Sequence, residues 1–192
     1  MSTTLRQAGI ALRLLVVMTV VLGIGYPAAV WAIGRVVPGR ADGSFVSSSS
    51  GQVVGSSLIG QDFPGATWFH SRPSAAGQGY DALSSGGSNL AADNADLVDA
   101  ITKRKADVAA ENGIAVSDVP ADAVTASGSG LDPDISPEYA AAQVARVAKA
   151  RGLTVAAVAQ LVADHTTGRT LGFIGEPRVN VLELNLALEQ MR

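Results

Sequence analysis

Val124–Thr125–Ala126–Ser127–Gly128–Ser129–Gly130–Leu131–Asp132–Pro133–Asp134–Ile135–Ser136–Pro137 is the stretch on which the reading of the fold turns. Glycines and prolines at these spacings cannot continue a helix or a central strand, so the segment is a shaped loop. It is dense in hydroxyls and carboxylates and runs straight into an apolar helical pattern. Ordered polar loops mounted on rigid elements are where function concentrates. Downstream, Ser136 is placed to cap a helix with Pro137 at its first position. Ala140, Val144, Val147 and Arg151 then recur at helical spacing until Gly152. Upstream, Val119 to Ala126 reads as a strand leading into the loop.

The same signals organise the rest of the domain. Gln52–Ser57 and Thr67–Phe69 have the β-branched and aromatic content of short strands, punctuated by Pro64–Gly65. Asn94 caps a helix with Leu97, Ile101 and Val108 on one face, ended by Gly113, and Asp96 and Asp99 complement its dipole. Thr154 caps another, with Val155, Val158, Leu161 and Val162 inward and Gly168 at its end. The apolar residues of Val179–Leu188 fit alternation as well as a helical face, and Asn180 as a cap after Pro177 favours the helix. The expectation is one helix-rich α+β domain over residues 52–192.

Ahead of it, Leu14 to Gly34 carries no charge and is bounded by Arg13 and Arg35. As a helix these residues span roughly 31 Å, close to the hydrocarbon thickness of a bilayer. The segment 14–34 is therefore read as a single transmembrane helix following a short segment 1–13. Pro27 is expected to kink it, Trp31 sits where an interfacial anchor belongs, and Gly25 and Ala29 form a small-xxx-small pair for helix packing. A cleavable leader is the competing reading, since Val30, Trp31 and Ala32 loosely match a small-x-small site. The apolar run exceeds a signal core, which favours a retained anchor. Residues 35–51, with Ser47 to Ser50 unbroken, read as a Gly/Ser-rich linker. Arg6 and Arg13 before the span, against Arg35, Arg40 and Asp42 after it, favour a cytoplasmic amino terminus and an extracytoplasmic domain.

Charge narrows the partners. Arg6 and Arg13 are two of the 14 basic residues, leaving 12 against all 17 acids beyond Gly34, a net charge of −5. That argues against nucleic acid as a partner. With no cysteine, thiolate metal sites are excluded, and His70 and His165 lack ligand spacing, so no bound metal is expected. There is no G-x-x-x-x-G-K-[ST] loop, no complete G-x-G-x-x-G and no Asp-Lys-Thr-Gly phosphorylation sequence. No nucleophile is grouped with either histidine in a familiar motif. No catalytic residue is assigned.

A second polar loop runs Leu83, Ser84, Ser85, Gly86, Gly87, Ser88, Asn89. Paired glycines allow backbone N–H groups to converge, and hydroxyls add donors, which suits phosphate oxygens. It looks like the Leu-Ser-Gly-Gly-Gln signature of ABC-type ATPases, with an extra serine and Ser88 in place of the glutamine. Taken by itself, the loop is better read as a Gly/Ser turn with no ligand. In the 124–137 loop, Thr125, Ser127, Ser129, Asp132 and Asp134 offer hard-cation ligands without EF-hand spacing. Asp132–Pro133 forming a turn, with Asp134 and Ser136 satisfying backbone donors, is the favoured reading.

Taken together, the single amino-terminal span, Gly55–Ser56 with Leu58–Ile59–Gly60–Gln61, Phe69–His70–Ser71–Arg72–Pro73, Ser85 to Leu90 and Val124 to Pro137 resemble a known family. The likeness continues through Gln143, Arg146, Val147, Ala148, Arg151, Gly152 and Val179 to Leu188. The family is the C subunit of the bacterial Kdp complex, the potassium-importing P-type ATPase. Ala91–Ala92 stand where relatives often carry Gly–Pro. The resemblance implies a non-catalytic subunit in the bacterial cell membrane, beside a channel-like potassium-translocating subunit and a P-type ATPase catalytic subunit. It implies a catalytic chaperone that raises the pump's affinity for ATP, with Ser84, Ser85, Gly86, Gly87, Ser88 and Asn89 as the nucleotide contact. Arg72, Thr125, Ser127, Gly128, Ser129, Gly130 and Asp132 are then candidates for partner interaction or for shaping the loop. A free-standing, membrane-anchored extracytoplasmic binding or sensor domain is the alternative.

Overall fold

A computed structural model describes residues 3–191 and separates into two units, one ending at Ser44 and one beginning at Phe45. In the first unit, α1 (Thr3–Val20), a π-helical turn (Val21–Gly25) and α2 (Tyr26–Gly34) form one helical run. It is followed by the short α3 (Pro38–Ala41). Thr3–Gly34 is long and apolar enough to cross a membrane, and none of its residues is buried within the chain. The helix thus starts well before Leu14: Arg6 and Arg13 end the apolar stretch without ending the helix. The disruption expected at Pro27 takes the form of the π turn just ahead of it, where the Tyr26 N–H reaches back five residues to the Val21 carbonyl. Proline cannot supply the i−4 bond, and a π turn is one way a helix absorbs that loss. A Cβ at Gly25 would meet nothing closer than the Val20 carbonyl oxygen at 3.8 Å, so that face is open.

The second unit begins with β1 (Phe45–Ser47) and β2 (Val53–Ser56), an antiparallel pair with Phe45 opposite Ser56. The Ser48 N–H donates to the Gln52 carbonyl at 2.8 Å and Gly51 turns at φ +81°. Part of the stretch read as a linker is therefore a hairpin. The remaining elements are α4 (Ala95–Asn112), β3 (Asp134–Ile135), α5 (Pro137–Arg151), α6 (Val155–Asp164), β4 (Thr166–Thr167), β5 (Arg178–Asn180) and α7 (Val181–Glu189). The small antiparallel sheet has the order β3-β5-β4, with Ile135 opposite Val179 and Thr166 opposite Val179 on the other side. The domain is α+β and rich in helix, following the apolar amino-terminal span.

Capping fixes where these helices start and stop. Asn94 accepts from the Asp96 and Leu97 N–H groups, Ser136 from Tyr139, Thr154 from Ala157 and Asn180 from Glu183. Gly113 (φ +65°) and Gly152 (φ +68°) end α4 and α5 in the left-handed region. Phe69, Ile135, Ala140, Val144, Val147, Val158, Val179, Leu184 and Leu188 meet in one core.

Three expectations are corrected. Val119–Ala126 is not a strand: Pro120 opens a 3₁₀ turn at Ala121–Ala123, and the Val124 and Thr125 N–H groups bond to the Ala121 carbonyl. Helix α6 stops at Asp164 rather than Gly168, because the chain turns into β4, and Val155 at its first turn faces out. Thr67–Phe69 is not a strand either: residues 65–68 form a turn in which the Trp68 N–H meets the Gly65 carbonyl at 3.4 Å, and side chains satisfy the main chain on either side. The Asn185 amide accepts from the Phe69 N–H at 2.9 Å and donates to the Phe69 carbonyl at 2.9 Å. The Gln143 amide does the same for His70, at 2.7 and 3.1 Å. The Arg146 guanidinium donates to the carbonyls of Ala66 and Trp68, at 2.8 and 2.9 Å, and Arg151 to that of Thr67 at 2.7 Å.

Asn185→Leu leaves the buried Phe69 N–H and carbonyl unpaired. It should therefore lower unfolding stability by about 3 kcal/mol, read from the urea midpoint of the detergent-solubilised chain. A change within about 0.5 kcal/mol would show that this pairing matters little.

Candidate functional site

The two polar loops singled out in the sequence lie against each other. The Ser129 carbonyl accepts from the Gly86 N–H at 2.8 Å and from the Ser85 hydroxyl at 2.9 Å. A Cβ on Gly87 would lie 3.1 Å from the Gly128 carbonyl oxygen. Gly130 is more tightly enclosed. It sits at φ +66°, and a Cβ there would come within 2.6 Å of the Ala76 nitrogen and 2.7 Å of the Gly86 carbonyl oxygen. Only glycine combines that backbone angle with that proximity. Gly60 closes the other side: its N–H donates to the Leu131 carbonyl at 2.8 Å, and a Cβ would come 2.5 Å from the Asp132 carbonyl oxygen.

Ser74 knots the assembly. Its hydroxyl donates to the Gly130 carbonyl at 2.6 Å and accepts from the Ala76 and Tyr80 N–H groups. Nearby, the Tyr80 hydroxyl donates to the Arg72 carbonyl. Burial pushes the Tyr80 phenol up to about 12, with the Asp62 charge adding to the rise and a Ser71 hydrogen bond opposing it. Tyr80 is thus a neutral donor. The Arg72 guanidinium is held by Asp132 at 2.8 Å and reaches the Thr125 carbonyl at 3.4 Å. The other Asp132 oxygen accepts from the Asp134 N–H at 3.1 Å, the turn expected at Asp132–Pro133. Ser127 and Ser129 face each other, their hydroxyls 3.4 Å apart.

Electrostatically the surroundings lean acidic. Arg72 borders a cavity of about 510 Å³ with Asp122, Asp132, Asp134, Glu176 and Arg178. Asp134 is pushed above the usual carboxylate range by burial, partly offset by Arg178 at 3.0 Å. The Asp122 carboxylate accepts from the N–H and hydroxyl of Ser136 at the start of α5. Among the described residues, no three His, Asp or Glu side chains gather as metal ligands would. His70 faces Glu111 at 3.5 Å, while the His165 ring lies against the Leu161 carbonyl.

Arg72, Thr125, Ser129, Gly130 and Asp132 are therefore joined with Ser85, Gly86 and Gly87 in one interlocked platform. Ser88 and Asn89 continue beyond it, Asn89 at φ +53°. Helix α4 begins six residues past Asn89, and Asn94 already takes its first amides, so its positive end is not presented by the Gly/Ser loop. Sequence spacing gave no hint that loops more than forty residues apart would meet. It also gave no role to Ser74 or Tyr80.

A family model described as "KdpC: K+-transporting ATPase, c chain" matches residues 8–190. A potassium-transporting ATPase KdpC subunit of Kineococcus radiotolerans is 61% identical over 188 residues, covering 98% of this chain and 95% of that protein. The subunit of Acidobacterium capsulatum is 52% identical, covering 92% and 94%. That of Mycobacterium tuberculosis is 48% identical, covering 97% and 99%.

Gly130→Ala should destabilise the domain by about 2 kcal/mol or more, since strain and collision add. Proteolysis should then cut first within residues 84–89 or 127–131. Equal protection of both loops in variant and native chain would contradict the interlock.

Proposed function

The chain belongs to the KdpC family, and from that premise we propose that it is a non-catalytic, membrane-anchored accessory subunit of a potassium-transporting ATPase complex. Its helix spans the bacterial cell membrane once, with Gly25 and Ala29 on a face open to a neighbouring helix. Its partners are a channel-like potassium-translocating subunit and a P-type ATPase catalytic subunit. The domain lies on the extracytoplasmic side, in keeping with the excess of arginine over acid before the span. It raises the pump's apparent affinity for ATP by favouring one conformation of the catalytic subunit.

The observation that carries this mechanism is that the Gly86 N–H, the Ser85 hydroxyl and one Arg72 nitrogen are committed inside the chain. The Gly86 N–H and the Ser85 hydroxyl are bonded to Ser129, and Arg72 is bonded to Asp132. A triphosphate needs converging donors and a cationic surround. Here the Gly86 N–H and the Ser85 hydroxyl are spent on the neighbouring loop, and the net charge beyond Gly34 is negative. Conformational coupling suffices energetically: a tenfold gain in apparent affinity needs about 1.4 kcal/mol of preference for one state. The platform supplies a stiff body through which that preference is imposed.

Gly86 separates contact from coupling. A Cβ there meets nothing within 4 Å, so Gly86→Val leaves the fold intact and blocks only a ligand against that backbone. The assembled complex carrying this variant should keep its KM for ATP within about twofold, while a complex lacking the chain shows a raised KM. A tenfold rise with Gly86→Val would establish direct nucleotide contact and contradict the coupling mechanism.

A further inference from the structure

Between β4 and β5 the chain makes a tight hairpin that the core does not use. Thr170 and Ile174 exchange N–H···O bonds of 2.9 Å, and the Phe173 N–H reaches the Thr170 carbonyl at 3.3 Å. Leu171 (φ +55°), Gly172 (φ +82°) and Gly175 (φ +80°) all adopt the left-handed region. Glycine or asparagine would occupy the Leu171 position without strain, yet a leucine stands there. Leu171, Phe173 and Ile174 are 78%, 71% and 51% exposed. The base is firm: β4 and β5 pair at Thr166–Val179 and Thr167–Arg178, and Val179 is fully buried. The result is an ordered apolar knob at the tip of the hairpin.

We propose that this knob is an anchor that inserts into an uncharged, apolar pocket on another subunit of the ATPase complex. The proposal rests on the subunit reading above. Charge disfavours a lipid surface as the occupant. Arg169 is paired with Glu176 at 2.6 Å and Arg178 with Asp134 at 3.0 Å, so no free cation on the hairpin meets phospholipid headgroups. The net charge of −5 beyond Gly34 opposes an anionic membrane. Area disfavours a second copy: three side chains offer at most about 500 Å², short of the roughly 800 Å² per partner of a stable dimer. An anchor this small holds only where another link keeps the partners together, and the membrane helix supplies that link. Preorganisation of the turn keeps the ordering cost low.

The test uses the full chain co-expressed with its complex. A photoreactive substitution, Phe173→benzoylphenylalanine, should crosslink to one of the larger subunits. The triple variant Leu171→Asn, Phe173→Ser, Ile174→Thr should speed loss of the chain from the detergent-solubilised complex at least tenfold. Its unfolding temperature should stay within a few degrees of the native chain's, because none of these side chains belongs to the core. Crosslinks to lipid, to a second copy or to nothing would overturn the proposal, as would an unchanged dissociation rate. The single-site crosslink decides even where the triple variant fails to fold. If the native chain co-purifies and position 173 finds no subunit, docking alone falls. If the native chain does not co-purify at all, the subunit reading falls with it.

Discussion

The main chain at Phe69 and His70, where the chain enters the core after the 65–68 turn, has no strand beside it, and the domain is built around satisfying it. A buried peptide unit with no partner costs on the order of 1–3 kcal/mol per group. Two carboxamides and two guanidinium groups from α5 and α7 take the place of a strand. The Gln143 and Asn185 amides each meet a donor and an acceptor of one residue, a match a methyl or a carboxylate cannot make. Phe69 is thereby pinned in the core. Arg146 is tied in turn to Asn112 of α4 and to Gln143, so three helices are referenced to one short segment.

That fixed segment continues into His70–Ser71–Arg72–Pro73–Ser74, and through it into the loop platform. Arg72 and Ser74 reach the 125–132 loop directly, and Ser129 holds Ser85 and Gly86. Rigidity therefore passes from the helical core to a surface made otherwise of glycine and serine, residues that left alone give flexible chain. A stiff, acidic platform is the kind of body that the proposed conformational coupling requires.

Local signals were legible wherever the physics is local. Asn94, Ser136 with Pro137, Thr154 and Asn180 were readable as caps because a cap acts within three residues. Gly113 and Gly152 were readable as stops for the same reason. The apolar span was readable from length and charge, although its helix starts earlier than the uncharged run. Thr67–Phe69 and Val119–Ala126 misled because β-branched and aromatic content describes a half-buried extended surface, whatever satisfies its backbone. For Phe69 the answer lay 116 residues away, at Asn185. The interlock of the two loops was hidden similarly: Gly130 announces a left-handed turn, but nothing in its neighbourhood names Ala76 and Gly86 as what presses on it. Gln143 and Asn185 left one faint signal, as amides on otherwise apolar helical stripes.

The central claim is that this domain acts on the pump from the far side of the membrane, through conformation and not through nucleotide. Ser49→Cys tests it most directly, since the chain has no other cysteine and Ser49 lies exposed in the β1–β2 turn. In intact cells an impermeant maleimide should label this thiol as fully as after lysis, in a complex whose ATPase activity is unaltered. Labelling only after the membrane is broken would place the domain with cytosolic ATP and contradict the account.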